Sequence, residues 1–472
     1  MATRIRRAIG RVVTYSYRYL LCGAAIEAVL LALLAVGDLG PQVPLLWSLL
    51  LAAFAAYGVA VIGVLRGWCG SLRLVLAIGL LFRVTLLWSD PGLSDDHYRY
   101  VWDGRVQLAG INPFLYAPDD EALRHLRDDG YEGINHKEIP TVYPPLTQLF
   151  FRLVCTASPT AIAMKVGILL CEAGLVLALV ALLRRRHADP RRVLLYVWNP
   201  LAIVETAGSG HIDALAVMLT VLSLCFALAG RRHLAVWALA GGTLAKLIPI
   251  LLVPVLWRHF GLSSSTSRAV RWLHPSGRLP LLWLPLWVVV GYLAYLGPGV
   301  QLFEGLKTYA SKWRFNDAAF TLLYNWLRQP ELAWDDDALM LARQVSAVLL
   351  ALAVLWTVFR VEDPLQAAFN IFGVYLLLSP TLHPWYLIWV LPFLPFFPRP
   401  AWLLFSGLVF LAYHVLTKYS IVGLWEEESW TKWGQYGPLY LLLVWDGLRR
   451  RRQRKSATHR EGGGEHLAYR DV

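Results

Sequence analysis

Residues 43–65 read VPLLWSLLLAAFAAYGVAVIGVL and carry no charged side chain. About 20 consecutive apolar residues suffice for a helix to cross the hydrocarbon core of a bilayer, since each residue adds about 1.5 Å. Strong runs of the same kind occur at 19–36, 72–88, 161–183, 214–229, 281–296 and 339–359. The repetition predicts an all-α fold, a polytopic transmembrane helical bundle.

Composition supports the same class. Of 472 residues, 57% are hydrophobic and 16% are charged, which is more apolar surface than a soluble core would bury. Shorter apolar runs occur at 193–206, 365–378, 386–397, 401–416 and 437–445. The run 234–257 has basic flanks at both ends, which favours a broken hairpin. We expect about 12–14 helices.

The basic residues set the expected orientation. The net charge is +12, and Arg and Lys cluster at the ends of apolar runs, at 4–11, 184–192, 231–232, 258–278 and 449–455. This distribution follows the positive-inside rule, so membrane lipids rather than nucleic acid are the expected partners. It places residues 89–143 in a first outer loop. We expect residues 1–448 to form one transmembrane domain and residues 449–472 to form a basic, mobile cytoplasmic tail.

The first outer loop begins with an unusual acidic pair, Asp95 and Asp96, directly after the third apolar run. Adjacent carboxylates near a membrane repel each other and are poorly solvated, so such a pair usually has a task, such as accepting a proton or holding a divalent metal (Mg²⁺ or Mn²⁺). The alternative is a solvated loop in which Asp95 caps a helix. Residues 96–109 have amphipathic helical spacing, which includes Asp103.

Other polar residues fall in segments that also face away from the cytoplasm when the membrane spans are counted from a cytoplasmic N-terminus. Glu205, His211 and Asp213 flank a Gly-Ser-Gly turn and are expected to line a cavity, with helix packing as the alternative for Glu205. Lys246 lies in an apolar run, where an unpaired ammonium would favour a phosphate partner and snorkelling is the alternative. Arg83, Lys165 and Glu172 lie within spans, where internal pairing or snorkelling is expected.

Two later segments combine cations with aromatic rings. Lys312, Trp313 and Asn316 follow one apolar run, with Arg314 between them; they suit a sugar phosphate or, alternatively, lipid headgroups. His383 and Tyr386 lie between two apolar runs, where an imidazole and an aromatic platform suit a glycosyl phosphate. Tyr386, like Tyr143 at the end of the first loop, would otherwise belong to the interfacial aromatic belt.

The motifs resemble a known superfamily. Asp95-Asp96-His97-Tyr98-Arg99-Tyr100-Val101-Trp102-Asp103-Gly104-Arg105, followed by Gly110-Ile111-Asn112-Pro113, resembles the first-loop motif of bacterial GT-C glycosyltransferases, especially polyprenyl-phosphomannose-dependent mannosyltransferases. The segments 199–213, 309–316 and 383–386 resemble further segments in the same order. The acidic signature here is Asp-Asp rather than Asp-x-Asp.

The resemblance implies a GT-C fold, an inverting transfer of a hexose, mannose by inference, and a catalytic Asp in the first outer loop. A single Asp precedes the Tyr-x-Tyr segment in related members, so the resemblance implies that Asp96 is the base. Asp95 would then orient Asp96 or hold a metal. The substrate-binding candidates are Tyr98, Asp103, Arg105, Asn112, Tyr143, Glu205, His211, Asp213, Lys246, Lys312, Trp313, Asn316, His383 and Tyr386.

The expected partners are a polyprenyl-phosphate sugar donor and a glycan, lipid or protein acceptor. The expected location is the bacterial inner membrane, with the active site facing outward. The rival classes are a transporter or flippase and a polymer-ligating scaffold. A transporter would need a polar path through both leaflets, whereas these residues gather on one side.

Overall fold

The computed structural model describes residues 2–68, 70–262, 277–332 and 334–464. In this part of the chain the fold is all-α, and the only β-type pairing is an isolated parallel bridge between Phe315 and Thr381. The helices are α1 (Ala2–Val36), α2 (Val43–Leu65), α3 (Leu72–Leu87), α4 (Asp96–Leu108), α5 (Asp129–Glu132), α6 (Pro145–Ala157), α7 (Ala161–Arg185), α8 (Leu194–Val197), α9 (Pro200–Ile203), α10 (Asp213–Leu228), α11 (Arg232–Ala245), α12 (Val253–Leu262), α13 (Trp283–Leu293), α14 (Glu304–Lys312), α15 (Ala319–Leu327), α16 (Asp336–Arg360), α17 (Pro364–Leu378), α18 (Pro400–Leu408), α19 (His414–Val422) and α20 (Ser429–Gly464).

Tighter or wider helical turns connect several of these helices. The 3₁₀ segments are Glu121–Leu126, Pro190–Val193, Ile248–Leu252, Leu279–Leu282, Gly299–Phe303, Pro384–Trp389, Leu391–Phe393 and Val409–Tyr413. Val204–Gly208 forms one π-helical turn.

Five helical stretches within the described residues are long and apolar enough to cross a membrane: Tyr17–Val36, Val43–Leu65, Ala161–Arg185, Asp336–Arg360 and Pro400–Val422. The predicted all-α polytopic bundle is therefore confirmed. The weaker predicted run 193–206 is divided among a 3₁₀ turn, two four-residue helices and the π-turn, because Pro200 interrupts the hydrogen-bond ladder. Of the predicted tail, 449–472, the backbone of α20 continues to Gly464, and residues 465–472 lie outside the described part.

Of the two alternatives expected for the charged residues within spans, internal pairing and snorkelling, the structure shows internal contacts. Arg83 of α3 donates to both carboxylate oxygens of Glu172 of α7, with N–O distances of 3.0 and 2.7 Å. The Lys165 ammonium donates to the carbonyl of Ser89 at 2.7 Å and so satisfies backbone oxygens beyond the end of α3. These contacts offset the desolvation of charges at membrane depth and fix α3 against α7.

Several helices of the bundle are interrupted by irregular segments. The run 234–257 turns where α11 ends at Ala245, and a 3₁₀ segment, Ile248–Leu252, precedes α12, so the predicted break is confirmed. Similar interruptions follow α9 and α17. Irregular backbone at this depth is tolerated where it lines a cavity, and the interruptions after α11 and α17 line the same one.

Candidate active site

A cavity of about 1840 Å³ lies among these interruptions. Its walls come from the start of α4, the end of the first outer loop, the start of α10, the turn after α11, α14 with the loop after it, α16, α17, and the turn that carries His383. This volume exceeds that of a single monosaccharide site, since drug-sized ligand pockets span about 300–1,000 Å³. The cavity therefore has room for two substrates at once.

Asp96 occupies the first turn of α4, at the cavity wall. Its backbone N–H donates to Ser94 Oγ at 3.3 Å, and Asp95 stands at the N-cap position without a side-chain capping bond. The helix N-terminus favours negative charge, which supports an ionised Asp96. The Asp96 side chain is 26% exposed, and the Tyr100 hydroxyl donates to its Oδ2 at 3.2 Å. The carboxylate is held in place yet remains accessible.

His211 links Asp96 to a second carboxylate. Its Nδ1 lies 3.5 Å from Asp96 Oδ2 and its Nε2 lies 3.3 Å from Glu205 Oε2. Glu205 is fully buried in the π-turn and accepts the Tyr413 hydroxyl at 2.9 and 3.1 Å. Gly210 permits this arrangement: its φ is +73°, and a Cβ there would come within 2.9 Å of Lys165.

Electrostatics separate the two adjacent aspartates. Burial would raise the pKa of Asp96, but the hydrogen bond and charge of His211, with smaller effects of His383 and Lys246, lower it below its usual value. Burial, followed by repulsion from Asp96, raises the pKa of Asp95. Burial also opposes the charge on His211, yet Asp96 and Glu205 outweigh it and raise the His211 pKa. The site thus favours an ionised Asp96 beside an imidazolium.

Lys246 forms an ion pair rather than a free cation. Its Nζ lies 2.6 Å from Asp213 Oδ1, which also accepts the Trp389 indole N–H at 2.7 Å. The ammonium lies 4.7 Å from the centre of the Tyr386 ring. The expectation of an unpaired ammonium is wrong, because the start of α10 brings a carboxylate to the turn after α11. Lys246 nevertheless lines the cavity.

Three aromatic rings stack along the inner wall. The Trp385 indole lies between the imidazoles of His211 and His383, with centroid distances of 3.7 and 4.2 Å. Burial lowers the pKa of His383 to about 3, so this imidazole is neutral. The Tyr309 and Tyr386 hydroxyls share a hydrogen bond, which fixes the Tyr386 ring beside the cavity.

The structure divides the predicted site residues into two groups. Those that line the cavity are Asp95, Asp96, Tyr98, Arg105, Tyr143, Asp213, Lys246, Lys312, Trp313, His383 and Tyr386. Those that lie behind its wall are Asp103, Asn112, Glu205, His211 and Asn316.

The residues behind the wall hold the loops that form it. Asp103 is buried and accepts from Arg99 at 2.9 Å, Thr141 at 2.5 Å and Gln148 at 2.8 Å. Asn112 donates to the carbonyl of Tyr295 at 3.0 Å. These contacts connect α4 and the first outer loop to their neighbours, so the two side chains support the site rather than facing its interior.

Asn316 has a comparable role in the later loop. Its φ is 48°, a left-handed conformation that Asn tolerates, and its Nδ2 donates to Gln435 at 2.9 Å. The adjoining bridge between Phe315 and Thr381 ties this loop to the turn that carries His383. Lys312, Trp313 and His383 are therefore placed by one connected backbone unit.

Sequence reasoning missed three residues at the site. Tyr413 carries no sequence signal that separates it from interfacial tyrosines, and Tyr309 begins the segment 309–316 that resembles the family but was assigned no role of its own. Arg343 lines the cavity from α16, a helix otherwise apolar enough to span the membrane. A charged residue within such a run is a signal for a cavity, and it was available in the sequence.

Comparison with known proteins identifies the family. A family model described as alpha-(1->6)-mannopyranosyltransferase, N-terminal domain, matches residues 21–260, just over half of the chain. The chain belongs to this MptA_B family. The match contains Asp95, Asp96, Glu205 and His211 and ends before Lys312. No curated protein and no solved structure matches the chain.

Membership in the MptA_B family confirms the predicted enzyme class. The chain is a membrane glycosyltransferase of the mannosyltransferase type, as the resemblance to GT-C enzymes implied. Its partners are accordingly a sugar donor and a glycan acceptor in the membrane.

Proposed function

We propose that this protein transfers mannose from a polyprenyl-phosphate donor to a glycan hydroxyl on the non-cytoplasmic side of the bacterial inner membrane. The transfer inverts the anomeric configuration, and Asp96 is the general base. The observation that carries the proposal is the accessible Asp96 carboxylate, held ionised by His211 in a cavity large enough for donor and acceptor. The family description adds the α-(1→6) linkage to the proposal.

The reaction needs one proton acceptor and one stabilised leaving group. The acceptor hydroxyl oxygen attacks the anomeric carbon, and its proton passes to Asp96 as the new C–O bond forms. The bond between the anomeric carbon and the phosphate oxygen breaks, and its electron pair leaves with polyprenyl phosphate. Because inversion yields an α-linkage, the donor mannose is β-linked to its phosphate.

The surroundings of Asp96 suit this step. His211 holds the carboxylate ionised in the resting enzyme, and Glu205 balances the charge of the imidazolium. When Asp96 takes up the acceptor's proton, the Tyr100 hydroxyl still fixes its orientation. Asp95, with a raised pKa, serves to orient the acceptor by hydrogen bonding.

The leaving phosphate is expected on the side of the cavity that carries the later loops. Lys312 lines the cavity, and its side chain forms no hydrogen bond or ion pair with the described residues. A neutral His383 imidazole can donate one hydrogen bond to a phosphate oxygen. Both offset the charge that accumulates as the glycosyl bond breaks. Lys246, paired with Asp213, contributes a dipole and hydrogen-bond donors rather than a free charge.

A divalent metal does not fit the environment of Asp96. Mg²⁺ and Mn²⁺ prefer several oxygen ligands, whereas the groups that lower the pKa of Asp96 are the nitrogen bases His211, His383 and Lys246. No group of three or more His, Cys, Asp or Glu side chains in the described part of the chain is arranged to hold a metal ion. We therefore derive no step through a metal.

Transfer by the purified protein in lipid nanodiscs tests the proposal. The substrates are polyprenyl-phosphate β-mannose, the corresponding glucose donor, and an α-(1→6)-linked mannose oligosaccharide as acceptor. We expect polyprenyl phosphate and an elongated α-linked product to appear in equal amounts with the mannose donor. Failure with every polyprenyl-phosphate sugar, together with transfer from a nucleotide sugar, would contradict the proposed donor class.

A further inference from the structure

Arg343 is a cation at the cavity wall without an acidic partner. It lies two turns into α16, and its Nη2 donates to the carbonyl of Trp313 at 2.8 Å. Its Nε is buried and has no hydrogen-bond partner within the described residues. A buried guanidinium N–H without an acceptor is costly, which indicates that the group is completed by something else.

Apart from Lys312, the other Lys and Arg residues of the cavity wall have an acidic partner. Lys246 pairs with Asp213 and Arg105 with Asp128. Arg314, which lies beside Arg343, pairs with Asp317 at 2.9 Å. No described carboxylate forms an ion pair with Arg343 or with Lys312, one residue before Trp313. Both cations line the cavity and are thus available to an external anion.

An apolar strip continues from Arg343 along the same helix. Ser346, Ala347 and Leu350 line the cavity and lie three, four and seven residues further on, so they share one helix face. The strip runs about 10 Å along the helix axis from the guanidinium. Tyr375 and Leu378 of α17 line the same cavity. A cation at one end of an apolar slot matches an amphiphile with an anionic head.

We propose that Arg343, with Lys312, binds the phosphate of the polyprenyl donor and that the Ser346, Ala347 and Leu350 face holds the isoprenoid units nearest to it. The inference deepens the proposed function and rests on it. An Arg guanidinium presents a rigid set of donors that matches phosphate geometry, and the contact to Trp313 holds the group in place. The Trp313 backbone thereby couples the phosphate subsite to the loop of Lys312.

Binding of polyprenyl phosphate without sugar tests the subsite directly. We expect Arg343→Met to weaken its affinity about ten- to a hundredfold, since a hydrogen-bonded charge pair commonly contributes that much. Arg343→Lys should lie between Arg343→Met and wild type, because it keeps the charge but loses the planar donor set. The matched control is Arg360→Met, which removes an exposed Arg at the other end of the same helix and should bind like wild type.

Competition distinguishes the donor lipid from other phosphates. We expect inorganic phosphate and phosphatidylglycerol to compete weakly with wild type. If Arg343→Met reduced phosphatidylglycerol binding and left polyprenyl phosphate binding unchanged, Arg343 would be a contact for bulk lipid headgroups and the inference would fail. Equal affinities of wild type and Arg343→Met for polyprenyl phosphate, in protein of matched thermal stability, would overturn it as well.

The apolar strip has its own test. Ala347→Trp should obstruct the slot, so it should raise the KM for a long-chain donor more than for a donor with a short isoprenoid chain. An equal change for both donors would remove the strip from the proposal. The outcomes separate the two hypotheses. If wild type transfers mannose but Arg343→Met binds polyprenyl phosphate as tightly as wild type does, only this subsite is contradicted. If wild type uses no polyprenyl donor, the proposed function itself is contradicted.

Discussion

The His211 imidazole lies flat against the Trp385 indole, with centroids 3.7 Å apart and ring planes at 13°. The stack brings the turn before α10 against the turn after α17, although the two residues are far apart in sequence. Both ring nitrogens of His211 lie close to carboxylates, Nδ1 3.5 Å from Asp96 and Nε2 3.3 Å from Glu205. One imidazole therefore orients the proposed base and is itself oriented by an indole.

The first prediction concerns the base. Asp96→Asn keeps the size of the side chain but cannot accept the acceptor's proton, so we expect turnover to fall about a hundred- to ten-thousandfold. Binding of polyprenyl phosphate should persist. Asp95→Asn should be milder, because Asp95 only orients the acceptor. Single-turnover rates of both variants with the same donor measure the difference. Near-normal turnover in Asp96→Asn would refute the mechanism.

The same pair of variants tests metal dependence. A chelator should leave wild-type turnover unchanged if no metal takes part. Inhibition that is reversed by Mg²⁺ or Mn²⁺, together with equal losses in the two Asn variants, would instead assign both aspartates to metal binding.

The second prediction concerns pH. Burial alone would raise the Asp96 pKa, and His211 more than offsets it, so the base stays ionised well into the acidic range. In His211→Gln the offset is lost, and the Asp96 pKa should rise. Because only the ionised carboxylate accepts a proton, the acidic limb of the pH–kcat/KM profile should move to higher pH. A uniform loss at every pH would assign His211 a purely structural role.

The third prediction concerns the ion pair between Lys246 and Asp213. Lys246→Met leaves a carboxylate that is 2% exposed without its cation, so we expect lower turnover and a loss of stability on the order of 3 kcal/mol. The double variant Lys246→Met, Asp213→Asn should recover stability but not turnover. Lys312→Met, which breaks no described ion pair, is the matched comparison and should reduce turnover with little change in thermal stability.

The fourth prediction concerns Asn316 and Gln435, which hydrogen-bond at 2.9 Å. Asn316→Gly keeps the left-handed backbone accessible but removes the side-chain bonds, and Gln435→Ala removes the partner. Each should reduce turnover through the position of the Lys312 loop. Their combined effect should be smaller than the sum of the two, because both remove the same interaction. Additive effects in this double-mutant cycle would show that the two residues affect turnover independently.

The fifth prediction concerns orientation. A single cysteine at the exposed position His125, in a background without the native cysteines, should react with an impermeant thiol reagent in intact cells. A cysteine in place of the exposed Arg231 should react only after permeabilisation. Reactivity in the opposite order would place the active site on the cytoplasmic side.

The sequence was informative where a local pattern suffices. The apolar run at 43–65 coincides with α2, and the amphipathic spacing from Asp96 predicts α4 to within one residue of its end. Asp96 could be selected because charge near a membrane is costly. What remained inaccessible was pairing across the chain: nothing local indicates that Asp213 neutralises Lys246 or that Asp103 accepts from Thr141.

The π-turn at Val204–Gly208 makes the site sensitive to chain length as well as to side-chain identity. Each residue of an α-helix advances the chain by about 100°, so removal of one residue from this turn would restore a regular ladder and rotate the flanking segments relative to each other by about that angle. Glu205 would then turn away from His211 although both residues were still present. A single-codon deletion here could thus inactivate the enzyme while leaving every motif residue intact.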